Sequence, residues 1–408
     1  MKILIEYECP QCGAPAELEE TDRLFTCQYC RVKSYLYHKD YFQYVLPHDA
    51  PKNKNLFFIP YWRFKGMLFS YIAKDIAHKF VDVSLQAFES TLFPASIGLR
   101  SQALKLRFVT PDIRGHFVKP KLPLQSAMDT FMNRFTTPGP ETIQHQTHVG
   151  ETISIIYSPF YMDKNKLYDA VLNEAIKNKL PDDFEILNFP GGKPRWSLDF
   201  IPTLCPHCGW NLEGDRDTHA LICGNCISVW IPFSNNLKRL NFGCLTASTD
   251  DTVYFPFWRI KADISEVPLA SYADLVRIAN LPRVIQKDWD KIDFYFWVPG
   301  FKVRPKTFLR LLSQTTTAQP MDELKTELPN EKIFPVTLPA EEAVETLKIN
   351  LASFIKNDTL LEKLPQIQIK PKSLLLAFIP FQEGHHDYIQ SQYQISINKN
   401  QLSLSSNL

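Results

Sequence analysis

The sequence predicts a strand-heavy α+β protein built as a tandem duplication of two homologous units. Three observations carry that expectation. Clusters of like residues recur at a near-constant offset along the 408 residues. Alternating apolar and polar residues, the mark of strands, dominate the early part of each repeat. Proline reaches 30 residues while glycine stays at 14, a balance that favours a proline-punctuated, strand-rich fold over one built on glycine-rich phosphate loops.

The strongest recurrence is in the cysteines. Cys9-Pro10-Gln11-Cys12-Gly13 is followed by Cys27-Gln28-Tyr29-Cys30, with fourteen residues between Cys12 and Cys27. Cys205-Pro206-His207-Cys208-Gly209 is followed by Cys223-Gly224-Asn225-Cys226, with the same fourteen between Cys208 and Cys223, and the two sets are offset by 196. Four thiolates presented by two CxxC turns form a tetrahedral cage for a metal ion. Cys9, Cys12, Cys27 and Cys30, and again Cys205, Cys208, Cys223 and Cys226, are therefore the expected ligands of two metals. The ninth cysteine, Cys244, reads as a small buried apolar residue.

Other features repeat in the same order. Ile59-Pro60-Tyr61-Trp62-Arg63-Phe64-Lys65 returns at the same offset as Phe255-Pro256-Phe257-Trp258-Arg259-Ile260-Lys261. Phe93-Pro94 before Leu99-Arg100 is echoed by Val298-Pro299 before Val303-Arg304. Ile155-Ile156-Tyr157-Ser158-Pro159-Phe160 is echoed by Leu376-Ala377-Phe378-Ile379-Pro380-Phe381. The expected organisation is a metal module over 1–45, an α+β domain over 46–187, a proline- and glycine-rich linker over 188–198, a second module over 199–235 and a second domain over 236–408. The period is far longer than that of solenoid repeats, so a domain pair is expected.

Within each unit the strands come first. In Trp62-Arg63-Phe64-Lys65 the alternation puts aromatic and basic side chains on opposite faces. Asp293 to Val298 reads as a buried strand. Lys166 to Leu180 has helical spacing through Leu167, Val171, Ala175 and Ile176. Ser271 to Asn280 reads as a helix capped by Ser271 and ended before Pro282. Pro339 opens another, with Val344, Leu347, Leu351 and Phe354 as its apolar stripe. At the C-terminal end, alternation through Ile395 and Ile397, a turn at Asn398-Lys399-Asn400 and renewed alternation at Leu402 predict a hairpin.

The paired knuckles resemble the zinc-ribbon class, in which two CxxC turns face each other across a β-hairpin. The polar segments Glu19-Glu20-Thr21-Asp22 and Glu213-Gly214-Asp215-Arg216-Asp217 are the expected hairpin tips. The CPxCG of each first knuckle is also similar to the rubredoxin type. The second knuckles depart from it, with Arg31 and Ile227 where glycine would stand, and rubredoxins separate their knuckles by much more. Ribbon followed by a Pro-aromatic strand unit resembles the architecture of bacterial zinc-ribbon proteins without an assigned activity. The resemblance covers the two ribbons alone and implies their fold and two structural Zn2+ ions, with iron the less favoured metal. A closed site of four cysteines leaves no position for water or substrate. Zinc binding supplies roughly 10–16 kcal/mol of apparent free energy in small peptides, enough to fold a hairpin with little core.

Charge narrows the function. The formal net charge is +1, and before Trp196 the chain carries 24 basic against 21 acidic residues, after it 21 against 23. Neither half has the basic excess of a phosphate-neutralising protein. Both ribbons are acidic: Glu6 to Asp40 holds seven carboxylates against four cations, and Asp199 to Ser234 four against one. Paired CxxC motifs require reduced thiols, so the cytoplasm is the expected location. The N-terminus is charged too soon for a signal peptide, and no run approaches about 18 apolar residues. No GxSxG, GxGxxG, P-loop or HExxH pattern is present. His145, His148 and the pair His385-His386 lack a matching carboxylate motif, and His207 and His219 accompany a site already complete with four cysteines.

The leading expectation is thus a non-enzymatic zinc-binding scaffold, adaptor or assembly protein acting through protein–protein contacts, with no catalytic residues. Tyr61, Arg63 and Lys65, with Phe257, Arg259 and Lys261, are its candidate partner-binding residues, beside the acidic ribbon tips. A nucleic-acid-binding regulator using the same basic strand faces is the second reading. An unrecognised enzyme with a site between the two units is the third.

Overall fold

The computed structural model describes residues 4–72, 74–134, 143–149, 153–177, 189–194, 196, 198–247 and 251–405. The fold is mixed α/β and strand-rich. Two compact units divide the chain, and they are not two contiguous halves. The first comprises Met1–Lys65, Val81–Thr137 and Glu151–Pro202; the second comprises Gly66–Phe80, Pro138–Gly150 and Thr203–Leu408. Among the described residues, no helix is long and apolar enough to cross a membrane.

In the first unit the spine is the N-terminal part of the long strand Leu56–Ile72. It pairs antiparallel with Ile153–Asp163, which runs parallel to Phe42–Val45. Leu106–Phe108 and then Leu4–Glu8 extend the same sheet. Along this part of the spine Phe57, Phe58, Ile59, Tyr61 and Phe64 are all buried, so both faces of the strand are covered. This explains a run too uniformly apolar to show a clean alternation.

Three strands of the second unit pair in the same way as the central three of the first. Thr252–Ile264 pairs antiparallel with Ile369–Glu383, which runs parallel to Phe242–Cys244. The registers correspond residue for residue. Phe58 faces Pro159 and Pro60 faces Tyr157 in the first unit; Tyr254 faces Pro380 and Pro256 faces Phe378 in the second. The indole Nε1 of Trp62 donates to the Leu122 carbonyl at 2.9 Å, and that of Trp258 to the Leu338 carbonyl at 2.9 Å. The Ala87 amide donates to Pro60 and the Gly300 amide to Pro256. Val45 and Cys244 take corresponding places, each next to the strand that carries Tyr157 or Phe378. Cys244 is buried, and burial pushes its thiol up to about 12, as a packing residue requires.

The second unit also contains a hairpin arm drawn from early sequence. The far end of the spine, Met67–Ile72, pairs with Ile143–Val149. Phe69 stacks on Phe308 at 5.8 Å, and the Thr147 hydroxyl donates to the Glu345 carbonyl. Helix Pro305–Ala318 and the helices Ala340–Glu345 and Leu347–Phe354 belong to the same core.

Three expectations of local structure change. The segment expected as a helix from Lys166 forms strands Lys166–Asp169 and Glu174–Lys177 as far as it is described. Leu167 is wholly buried against the sheet while Ala175 is exposed, so no helical stripe exists to bury, and Lys164, Asn165 and Asn173 turn the chain in left-handed conformations. Near the C-terminus, Ile395–Asn398 pairs back onto Asp387–Gln390, and Lys399–Ser405 is a helix where a second strand was expected. Upstream pairing satisfies the strand, which frees Leu402 to enter the core. Third, Val298-Pro299 lies on strand Phe296–Pro299, whereas Phe93-Pro94 lies outside strands; Ala87 and Gly300 are the residues that make analogous bonds, to the carbonyls of Pro60 and Pro256. The helix capped by Ser271 forms as expected, over Tyr272–Ile278, with a capping box in which Ser271 and Asp274 bond each other's backbone amides. Pro339 stands at the N-cap of Ala340–Glu345.

Candidate metal centres and the buried cation network

Each knuckle closes its own hairpin. The first joins Leu4–Glu8 to Pro15–Glu19, and the second joins Leu24–Thr26 to Lys33–Tyr37. The Cys9 carbonyl accepts the Gly13 amide and the Cys205 carbonyl accepts the Gly209 amide. Both glycines are left-handed, at φ +70° and +74°, where a Cβ would be strained. The second knuckles make the same turn without glycine: Arg31 stands at φ 60° and Ile227 at φ 50°. A β-branched residue in that region is an outlier, sustained here by the geometry around the four sulfurs.

Those sulfurs converge. Sγ of Cys9 lies 3.7 Å from that of Cys30, and Cys12 lies 3.7 Å from Cys27. The corresponding distances in the second cluster are 3.6 Å for Cys205 and Cys226 and 3.5 Å for Cys208 and Cys223. A tetrahedron with Zn–S bonds of about 2.3 Å has edges near 3.8 Å, so both cages have the size that such an ion requires. Within each cluster all four sulfurs fall inside 4.8 Å of one another. The Cys30 backbone amide draws the Cys27 thiol down to about 6, and the Asn225 side chain, then the Trp210 amide, draw Cys208 down to about 6, while in the same clusters the thiols of Cys30 and Cys223 are pushed up to about 12. A thiolate at neutral pH is the form that a metal coordinates. Ser228 accepts the indole N–H of Trp230 at 2.8 Å, which turns its hydroxyl proton toward Cys226 Sγ, 3.0 Å away. Four ligands close each site, which suits structure rather than catalysis.

The two modules differ around this common centre. In the first, Asp199–Pro202 completes the sheet beside Lys33–Tyr37; in the second, Asn236–Leu240 takes that place beside Ser228–Phe233. The expected acidic tip of the first module is largely withdrawn from solvent, with Glu20 and Asp22 buried. Asp22 accepts the Glu19 amide, and Arg23 ties down the Glu20 and Asp22 carbonyls. Glu213, Asp215 and Arg216 at the tip of the second module stay exposed.

Glu20 turns inward because of Arg63. The guanidinium is wholly buried. It ion-pairs with Glu20 and holds Asp82 with two bonds of 2.8 Å. Gln102 donates to the same Asp82. Burial opposes the charge on Arg63, and Glu20 and Asp82 outweigh it, so its pKa rises. Lys65 is buried as well, 3.9 Å from Glu20, and the Tyr61 hydroxyl donates to the Pro94 carbonyl. The basic face expected to reach solvent along this strand is therefore an internal network. In the second unit Phe257 is buried, Arg259 lies over the Tyr295 ring at 4.3 Å, and Lys261 pairs with Asp293 at 2.6 Å. Arg100 is ion-paired with the buried Asp169.

One feature escaped sequence reasoning. Leu204 and Trp210 flank the first knuckle of the second module, Ile227 follows its second knuckle and Phe233 ends its middle strand. All four are exposed, Trp210 by 58%. The corresponding residues at the 196-residue offset are Glu8, Ala14, Arg31 and Tyr37. A position-by-position reading of the repeats would have exposed this apolar substitution.

Comparison with models of known protein families, with curated proteins and with solved structures finds no match.

Proposed function

We propose that the protein is a non-enzymatic zinc-binding adaptor, a tandem duplicate whose second ribbon docks a partner protein. Matching strand registers and the matched indole bonds of Trp62 and Trp258 support the duplication. Closed four-cysteine cages of the right size support two structural zinc ions, and their hairpin setting supports the zinc-ribbon class. The observation that carries the docking role is that Leu204, Trp210, Ile227 and Phe233 are each exposed on the second ribbon, the Phe233 ring beneath the Lys238 ammonium. Large apolar side chains held at the surface of a rigid element mark contact sites, and tryptophan is the residue most enriched among energetic anchors. The acidic residues of the same module favour a partner segment that is apolar at its centre and basic at its rim. The internal partners of Arg63, Lys65, Arg259 and Lys261 leave the basic strands poorly suited to nucleic acid. Reduced cytoplasmic thiols remain the expected setting.

The test is capture from native lysate with the tagged full-length chain and with Trp210→Ala/Ile227→Ser, each with and without nuclease. A protein bound by the parent chain, resistant to nuclease and lost from the double variant at unchanged zinc content, is the expected result. Binding that nuclease abolishes, or that the variant leaves intact, would overturn the assignment of this surface.

A further inference from the structure

A second candidate site lies within the first unit, independent of the adaptor reading. A cavity of about 750 Å³ opens beside the strand Gly191–Gly192. Gly191 pairs with Val118, and a Cβ there would stand 2.1 Å from the Phe117 carbonyl, so only glycine lets this wall close in. The volume falls in the range of small-ligand sites.

Its lining combines aromatic walls with donors. Phe117 and Tyr157 meet edge to face at 5.0 Å. Trp196 is braced by stacking on Phe108 and by His38 at 4.8 Å. The Trp196 indole N–H is buried with no acceptor among the described residues. His38 Nδ1 accepts the Lys39 amide at 2.8 Å, so the neutral ring carries its proton on Nε2 and is a donor there. Burial lowers its pKa, which favours that neutral form. The lining holds the exposed Lys119 and Lys193 and one carboxylate, Asp40, so its formal charge is cationic.

The second unit supplies an internal control. The register-matched partner of Tyr157 is Phe378, that of Gln43 is Phe242 and that of Phe117 is Ile333. Phenylalanines stand in the second unit where Tyr157 and Gln43 stand in the first, so the shared strand pairing does not require those two polar groups. We propose that this cavity binds a small aromatic anion, a planar ring carrying a phosphate or carboxylate, stacked between the aromatic walls with its charge on Lys119 and Lys193. Ring stacking and an ammonium pair together recognise such a ligand better than either alone.

Calorimetric titration of the full-length zinc-loaded chain tests it, with adenosine and uridine monophosphates, indole-3-acetate, adenosine and inorganic phosphate as separate probes. An aromatic anion should bind with Kd below about 1 mM, and adenosine and phosphate alone about tenfold more weakly or worse. Binding of the monophosphates identifies a nucleotide-type ligand; binding of indole-3-acetate identifies an aromatic carboxylate. Lys119→Ala/Lys193→Ala should weaken the anion about tenfold and leave adenosine unchanged. Tyr157→Phe, which installs the residue found in the second unit, should weaken binding without lowering thermal stability. The inference falls if no aromatic anion binds more tightly than phosphate, or if both variants bind like the parent chain.

Discussion

Arg63 and Arg259 occupy register-matched positions on the long strands of the two units, and their surroundings make opposite demands. Arg63 neutralises two carboxylates that the chain has carried out of water; Arg259 rests on a ring. Removing one partner of a buried ion pair costs about 3–5 kcal/mol because the other charges stay buried. A cation–π contact contributes about 0.5–2 kcal/mol. Arg63→Met should therefore destabilise the first unit by about 3–5 kcal/mol, and Arg259→Met the second by less than half of that. Denaturant unfolding of each variant measures the difference, and equal losses would show that Glu20 and Asp82 find other partners. His145 supplies a second prediction at this scale. Burial, reinforced by Lys348, holds its imidazole down at about 4. The unfolded chain takes up a proton near pH 6.5, whereas the folded chain resists until about 4. Stability from this residue is thus complete above pH 6.5 and falls as pH drops toward 4, by at most about 3 kcal/mol. His145→Gln should flatten that part of the stability profile; a profile unchanged by the substitution would refute the assignment.

At the scale of elements, the metal modules were legible because their determinants are local. A CxxC turn needs two residues between thiols and a left-handed residue after them; the spacing is visible in all four knuckles and the left-handed residue in the two that carry Gly13 and Gly209, not at Arg31 and Ile227. Since each module closes on its own four sulfurs, Cys27→Ser should remove one metal ion per chain and leave the site of Cys205, Cys208, Cys223 and Cys226 loaded. Metal analysis by mass spectrometry under native conditions reads this directly, and loss of both ions together would show that the modules are coupled. Strand order was harder to read. Leu167, Val171 and Ile176 fit a helical period, yet cross-strand pairing to Phe160 through Asp163 decides the conformation. The C-terminal helix was missed for the same reason, because Ile395–Asn398 finds its partner upstream.

For the whole molecule, the recurring order of motifs was legible in the sequence, and the central strand pairs of the two units share one register over the stretch that the motifs cover. The limits of the repeats as bodies were not. Residues 66–80, early in the chain, are part of the second unit, and Asp199–Pro202, which opens the module expected over 199–235, completes a sheet of the first. Linear spacing was sufficient for metal ligands, turn glycines and the Ser271 cap, since the interacting groups lie within a few residues of each other. It was insufficient for the cations on the Pro-aromatic strands. Whether such a side chain meets solvent, a carboxylate or a ring depends on residues such as Glu20, Asp82 and Tyr295, which only chain folding brings to it, and burial of a charge is settled by those distant partners.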